Sequence, residues 1–358
     1  MPTFNVALFE SLSSAAARAR LIVWLDRLEV YTHDDVDEWK TSWSSVCRTL
    51  NALAWGMLFQ EARLVEDDLR RLVRDIFPQC PTAAKFEDHA TLAQMLSTTI
   101  GNVFKYSDGD TWPNNHQLFA EFTGQRMHEY VNQRLLPAMG GRAVASETSD
   151  DKTVRLDGSA RDLAYFGEII RREGVAETGE VLVPDWYVRL MRAGGTYGDG
   201  SPNAREGYQT HLWKDGTHSE SLSYENPDTG EKQSFHSPHV PNDACFAYGG
   251  TDRAVVAVVP SLRLVVARHN SNHGYPIDTF LDAACAAVEG VSVPAPDPCV
   301  IKNYTYESWL ELGRKIDVRF REVSGQDQPP AGTDFNHNTW RVLAEGWTEE
   351  EMLAKVGH

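Results

Sequence analysis

The 358-residue sequence contains no run of about eighteen apolar residues, the length a helix needs to span a bilayer. Its first residues lack a charged stretch followed by an apolar one, so a soluble, cytoplasmic protein with no membrane partner is expected. Basic residues are in deficit: 34 Lys and Arg stand against 51 Asp and Glu, a formal net charge of −17. The nearest approach to a basic cluster, Arg314-Lys315 with Arg319 and Arg321, is short and interrupted, which argues against nucleic acid as a partner. Cysteine is scarce and odd in number, with Cys47, Cys80, Cys245, Cys285 and Cys299 widely scattered. That pattern suits reduced thiols better than a disulfide framework. Neither an internal repeat nor a low-complexity tract is present. The glycines at Gly194-Gly195, Gly198 and Gly200 lack a strand-to-helix setting and read as a turn, not a phosphate loop. His211, His218, His236 and His239 lie in a polar stretch without an acidic ligand at regular spacing. They read as surface or hydrogen-bonded residues, and no metal or cofactor is expected.

At 42% hydrophobic residues the chain can bury a substantial core, enough for two domains or one large α/β unit. Residues 20–25 and 28–32 are β-branched and aromatic around Asp26-Arg27, which predicts an early hairpin. From Leu64 to about Gly140 the pattern turns helical, with breaks expected at Pro78, Pro81, Pro113 and Pro137. Ser159 with Asp162 forms a capping pair ahead of a helix reaching Gly174, and residues 184–193 read as another. Short strands are expected at 208–213 and 219–224. Residues 254–259 and 262–268, joined at Pro260-Ser261, give the clearest hairpin. A buried helix follows over 278–288, and Thr348 with Glu351 can cap a last one. Strands near both ends with helices between predict one antiparallel sheet built from N- and C-terminal segments, with a helical lobe inserted and a cleft between them. The expected division is a discontinuous α/β domain, 1–63 with 150–358, and a helical subdomain, 64–149.

Chemistry can be sought where a hydroxyl and a cation share a helix face. Ser45 and Arg48 are three residues apart at the start of an apolar-periodic stretch. Val46, Leu50, Leu53 and Met57 would form its buried stripe, leaving Ser45, Arg48 and Thr49 on another face. A serine in the first turn also sits at the positive end of the helix macrodipole, where backbone N–H groups stabilise developing charge on oxygen. Taken alone, an N-capping serine followed by a solvated arginine accounts for the same residues.

Further segments in a fixed order add to this pair. Ser45-Val46-Cys47-Arg48 is similar to a Ser-x-x-Lys motif and precedes Leu50-Asn51-Ala52-Leu53-Ala54-Trp55-Gly56. Residues 90–97 are similar to a Thr-Leu-x-x-Leu-Leu helix, Tyr106-Ser107-Asp108 to a Tyr-x-Asn or Tyr-x-Ser motif, and 246–250 (Phe-Ala-Tyr-Gly-Gly) to a third motif on a sheet edge. Thr123-Gly124, 136–140 and 160–167 fall in matching order. Over roughly residues 21–288 the chain resembles the serine β-lactamase and penicillin-binding-protein-like superfamily, in particular its esterase and amide-hydrolase branches.

The resemblance implies an α/β (α+β) fold and attack by Ser45 on a carbonyl. It implies an oxyanion held by backbone N–H groups of Ser45 and Thr251 on the strand of Tyr248, Gly249 and Gly250. Arg48 occupies the family's lysine position, and a guanidinium with a pKa above about 12 is no general base near neutral pH. Tyr106 then becomes the base, because a nearby cation favours the phenolate, and Arg48 its electrostatic partner. Tyr248 stands where Lys, His or Trp is usual, so it lacks the ammonium that would clamp a substrate carboxylate and offers a phenol for stacking or hydrogen bonding. Asp108, able to pair with Arg48, and Trp112 would contact substrate. The expected activity is hydrolysis or acyl transfer on a small-molecule ester or amide. Two alternatives stay open: a ligand-binding descendant without turnover, and a cyclisation or elimination in the same cleft. The segment 302–331 is left as a cover for the cleft or a homo-oligomer contact.

Overall fold

The computed structural model describes residues 2–13, 15, 18–37, 42–43, 46–86, 88, 90–97, 111–148, 154–193, 213–214, 223–225, 232–234, 239–241, 243–249, 254–269 and 278–292. In chain order the strands are β1 (Thr3–Phe4), β2 (Leu21–Leu25), β3 (Leu28–His33), β4 (Val144–Glu147), β5 (Val154–Asp157), β6 (Trp213–Lys214), β7 (Ser223–Glu225), β8 (Lys232–Ser234), β9 (Cys245–Gly249), β10 (Ala254–Val259), β11 (Leu264–Arg268) and β12 (Val288–Glu289). The helices are α1 (Val6–Leu12), α2 (Val46–Gln60), α3 (Val73–Ile76), α4 (Leu92–Ser97), α5 (Thr111–Thr123), α6 (Met127–Tyr130), α7 (Leu136–Met139), α8 (Ala160–Arg171), α9 (Asp185–Ala193) and α10 (Asp278–Ala286).

Six strands build one antiparallel sheet in the order β3-β2-β11-β10-β9-β6, so the N-terminal hairpin lies beside the C-terminal one, as the sequence predicts. Asp26 and Arg27 both take positive φ, the geometry of a two-residue turn whose twist matches its strands. Side chains alternate across the pleat. Ala254, Val256 and Val258 join the core shared with α2 and α8. Val255, Ala257 and Val259 join a second core with Phe9 of α1 and Phe280, Leu281 and Ala284 of α10. Helices therefore cover both faces, which is why β10 is apolar at every position. Gly167 lets α8 lie directly on the sheet, since a Cβ there would fall 2.7 Å from both Val256 Cγ2 and Val265 Cγ1. Ser159 caps α8: its Oγ accepts from the Asp162 N–H at 3.1 Å, while Asp162 accepts from the Ser159 N–H at 2.8 Å.

The structure corrects several sequence expectations. Leu262 belongs to a 3₁₀ turn, residues 260–262, and not to β11, because Arg263 in the left-handed region closes the hairpin first. Pro113 and Pro137 do not break the pattern; each falls in the first turn of its helix, α5 and α7, where a missing N–H costs little. The helix expected to reach Val288 ends at Ala286, and Val288 pairs with Phe4 in a small sheet. The strand carrying Tyr248 is not at the sheet edge, because Trp213 and Lys214 pair with Phe246 and Cys245 on its outer side. The expected strands at 208–213 and 219–224 are described only at Trp213 and at Ser223 and Tyr224, and Thr348 and Glu351 lie outside the described residues.

Candidate active site

The chain enters α2 from a segment held against β5: the Trp43 N–H donates to the Leu156 carbonyl at 2.7 Å, and Ser42 bridges Asp157. The Val46 N–H then donates to the Trp43 carbonyl at 3.2 Å. The expected apolar stripe of α2 is buried, but so is Thr49, and thirteen of the fifteen residues are enclosed. Only Arg48 and Gln60 escape full burial, so α2 is a core helix and not an amphipathic one. Gly56 permits this enclosure: a Cβ there would fall 2.6 Å from Val183 Cγ1 and 2.8 Å from the Tyr187 ring. Arg48 is the one cation on the helix, half-buried in its first turn.

Burial pushes the Cys47 thiol up to about 12, and the Asp157 charge adds to this while a hydrogen bond at Leu156 opposes it. The thiol keeps its proton and offers no rival nucleophile. Cys80, Cys245 and Cys285 are likewise buried and free of disulfides. Burial also raises Tyr187 and, with Glu61 as its hydrogen-bond acceptor, Tyr130, so both remain neutral phenols.

Two side-chain bonds tie α2 to α5. Asn51 Nδ2 lies 2.8 Å from His116 Nε2, and Trp55 Nε1 donates to Asn115 Oδ1 at 2.7 Å. Burial alone lowers His116 to about 3. Helix α2 also packs against β9, where Tyr248 pairs with Val255 and Gly249 with Ala254. The approach to β9 is held by two carboxylates. Asp243 accepts from the N–H and Oγ of Ser261, both at 2.8 Å, and Asp282 of α10 accepts from His239 through its backbone N–H at 2.9 Å and its Nδ1 at 3.0 Å.

Of the sequence-predicted site residues, Arg48 is described in full, and Trp112, Tyr248 and Gly249 as backbone within α5 and β9. Ser45, Tyr106, Asp108, Gly250 and Thr251 lie outside the described residues. Helix α2 begins at the residue after Ser45, and α5 begins five residues after Tyr106. The sequence reading missed Asn51, Trp55, Asn115 and His116; a lone Asn within the apolar run Leu50 to Phe59 was the available signal, since a buried amide needs a partner. Among the described residues no group of His, Cys, Asp or Glu could hold a metal, and no helix is long and apolar enough to cross a membrane.

No family model and no curated protein matches the sequence. Solved structures do. The chain is similar to a penicillin-binding-protein homolog from Caulobacter crescentus (TM-score 0.52, 12% identity, 80% of this chain and 99% of that one). It is also similar to a candidate 6-aminohexanoate-dimer hydrolase from Bacillus anthracis (0.51, 16%, 74% and 78%). A third match is a class C β-lactamase from Rhodobacter sphaeroides (0.50, 14%, 75% and 97%). With an antiparallel sheet between helical layers and a serine-preceded core helix beside it, the chain has the serine β-lactamase and penicillin-binding-protein-like fold.

Proposed function

We propose that the protein is a serine hydrolase or acyltransferase acting on an ester or amide of a small molecule through an acyl-enzyme on Ser45. The observation that carries this reading is the placement of α2: in this fold it starts directly after Ser45 and contacts both β9 and α5, the elements that adjoin the proposed third and second motifs. Ser45 Oγ attacks the carbonyl carbon and its proton passes to Tyr106. The oxyanion is held by the backbone N–H groups of Ser45 and Thr251. Arg48 supplies fixed positive charge to the phenolate, with Asp108 and Trp112 at the substrate. Collapse expels the alcohol or amine, and water or a second nucleophile takes the acyl group.

One observation favours a second reading, a ligand-binding protein without turnover: the lysine position of the first motif is Arg48, which cannot cycle a proton. A fluorophosphonate probe separates the two. Labelling that disappears in Ser45→Ala supports the hydrolase. Folded protein that stays unlabelled supports the binder.

A further inference from the structure

Arg48, Asn51 and Trp55 are spaced three and four residues apart and so share one stripe of α2. Both residues that follow Arg48 on this stripe reach across to α5, Asn51 to His116 and Trp55 to Asn115. Asn51, Trp55 and Asn115 are almost wholly enclosed, at 3%, 0% and 2% exposure. Apolar packing alone lets two helices slide; a directional bond from an enclosed side chain, here to the half-buried His116, permits one register.

The chemistry of the Asn51–His116 bond adds to this. Among the described residues Asn51 Oδ1 has no hydrogen-bond partner in the orientation observed. In that orientation the amide N–H donates, with Nε2 accepting and the ring proton on Nδ1. Enclosure keeps the imidazole neutral, so this acceptor persists through the pH range in which a serine hydrolase works.

We propose that Asn51 and His116 are a positioning pair, which fixes the register of the first-motif helix against α5 and thereby sets the approach of Ser45 to Tyr106. The inference rests on the hydrolase reading and deepens it: neither residue touches the reacting atoms, but both hold the two elements whose preceding segments carry them. Displacements near 1 Å cost reactions of this kind up to about a hundredfold, so a small slip in register has a measurable effect.

The test compares His116→Phe, which keeps a ring without an acceptor, with His116→Gln, whose amide oxygen can accept from Asn51. Asn51→Leu removes the bond from the other side, and Gln117→Ala, on the exposed face of α5, serves as control. All are first checked for native helix content and cooperative melting. The readout is the rate of fluorophosphonate labelling at Ser45 across pH. His116→Phe or Asn51→Leu, whichever folds, should slow labelling by about tenfold or more and displace its pH midpoint, while His116→Gln recovers most of the rate. Native rates and an unshifted profile in a folded His116→Phe or Asn51→Leu variant overturn the inference alone. A folded His116→Gln as impaired as His116→Phe does the same. Wild-type protein that does not label removes the hydrolase reading and the inference with it.

Discussion

At the scale of single residues the proposed chemistry turns on Arg48, a guanidinium in the first turn of a helix otherwise almost fully enclosed. Its charge is permanent, so its part in a proton-transfer scheme is to stabilise an anion. Arg48→Lys should retain or raise esterase activity and shift the pH profile, because an amine can share the proton. Arg48→Ala should lower kcat/KM by about a hundredfold, the scale of removing one electrostatic contact to a reacting centre. The check is hydrolysis of p-nitrophenyl esters from pH 5 to 10, and equal activity in all three proteins would remove Arg48 from the mechanism. Cys47, its sequence neighbour, takes no part, since burial keeps the thiol protonated.

At the scale of elements, the tie between α2 and α5 has a thermodynamic signature. His116 is lowered from 6.5 to about 3 in the folded chain, so between those values the unfolded chain binds a proton that the folded chain does not. Stability is therefore full above pH 6.5 and falls as the solution is made more acid. Going from pH 7 to pH 5 should cost wild type about 2 kcal/mol through this group alone. Urea denaturation at the two values measures it, and His116→Gln should reduce the drop by that amount. An undiminished drop in the variant would assign the acid sensitivity to other groups.

Much of the element pattern was legible because its causes are local. Ser159 with Asp162 marks the start of α8 within four residues, and Asp26-Arg27 between two β-rich runs marks the first hairpin. What stayed hidden depends on distant partners. Asn51 and His116 are 65 positions apart, and nothing near either one names the other. The enclosure of α2 was misread because a helix shows its inward face in sequence only if its other face meets water. Strand β6 lies in a polar stretch and is held by backbone pairing to β9, which composition does not record. Within the candidate site, the bonds that hold α2 and β9 in place were not legible along the chain.

For the whole molecule, one antiparallel sheet carries a helical layer on each face, with α2 in contact with β9. The central claim is that the Ser45 hydroxyl, the Tyr106 phenol and the backbone after Gly249 meet at one carbon. A crystal structure of the fluorophosphonate-treated protein measures this directly. Phosphorus should be bonded to Ser45 Oγ, with the Tyr106 oxygen within about 3 Å of that Oγ and the phosphonyl oxygen facing the Thr251 N–H. An adduct on another residue, or Ser45 and Tyr106 on opposite sides of α2, would contradict it.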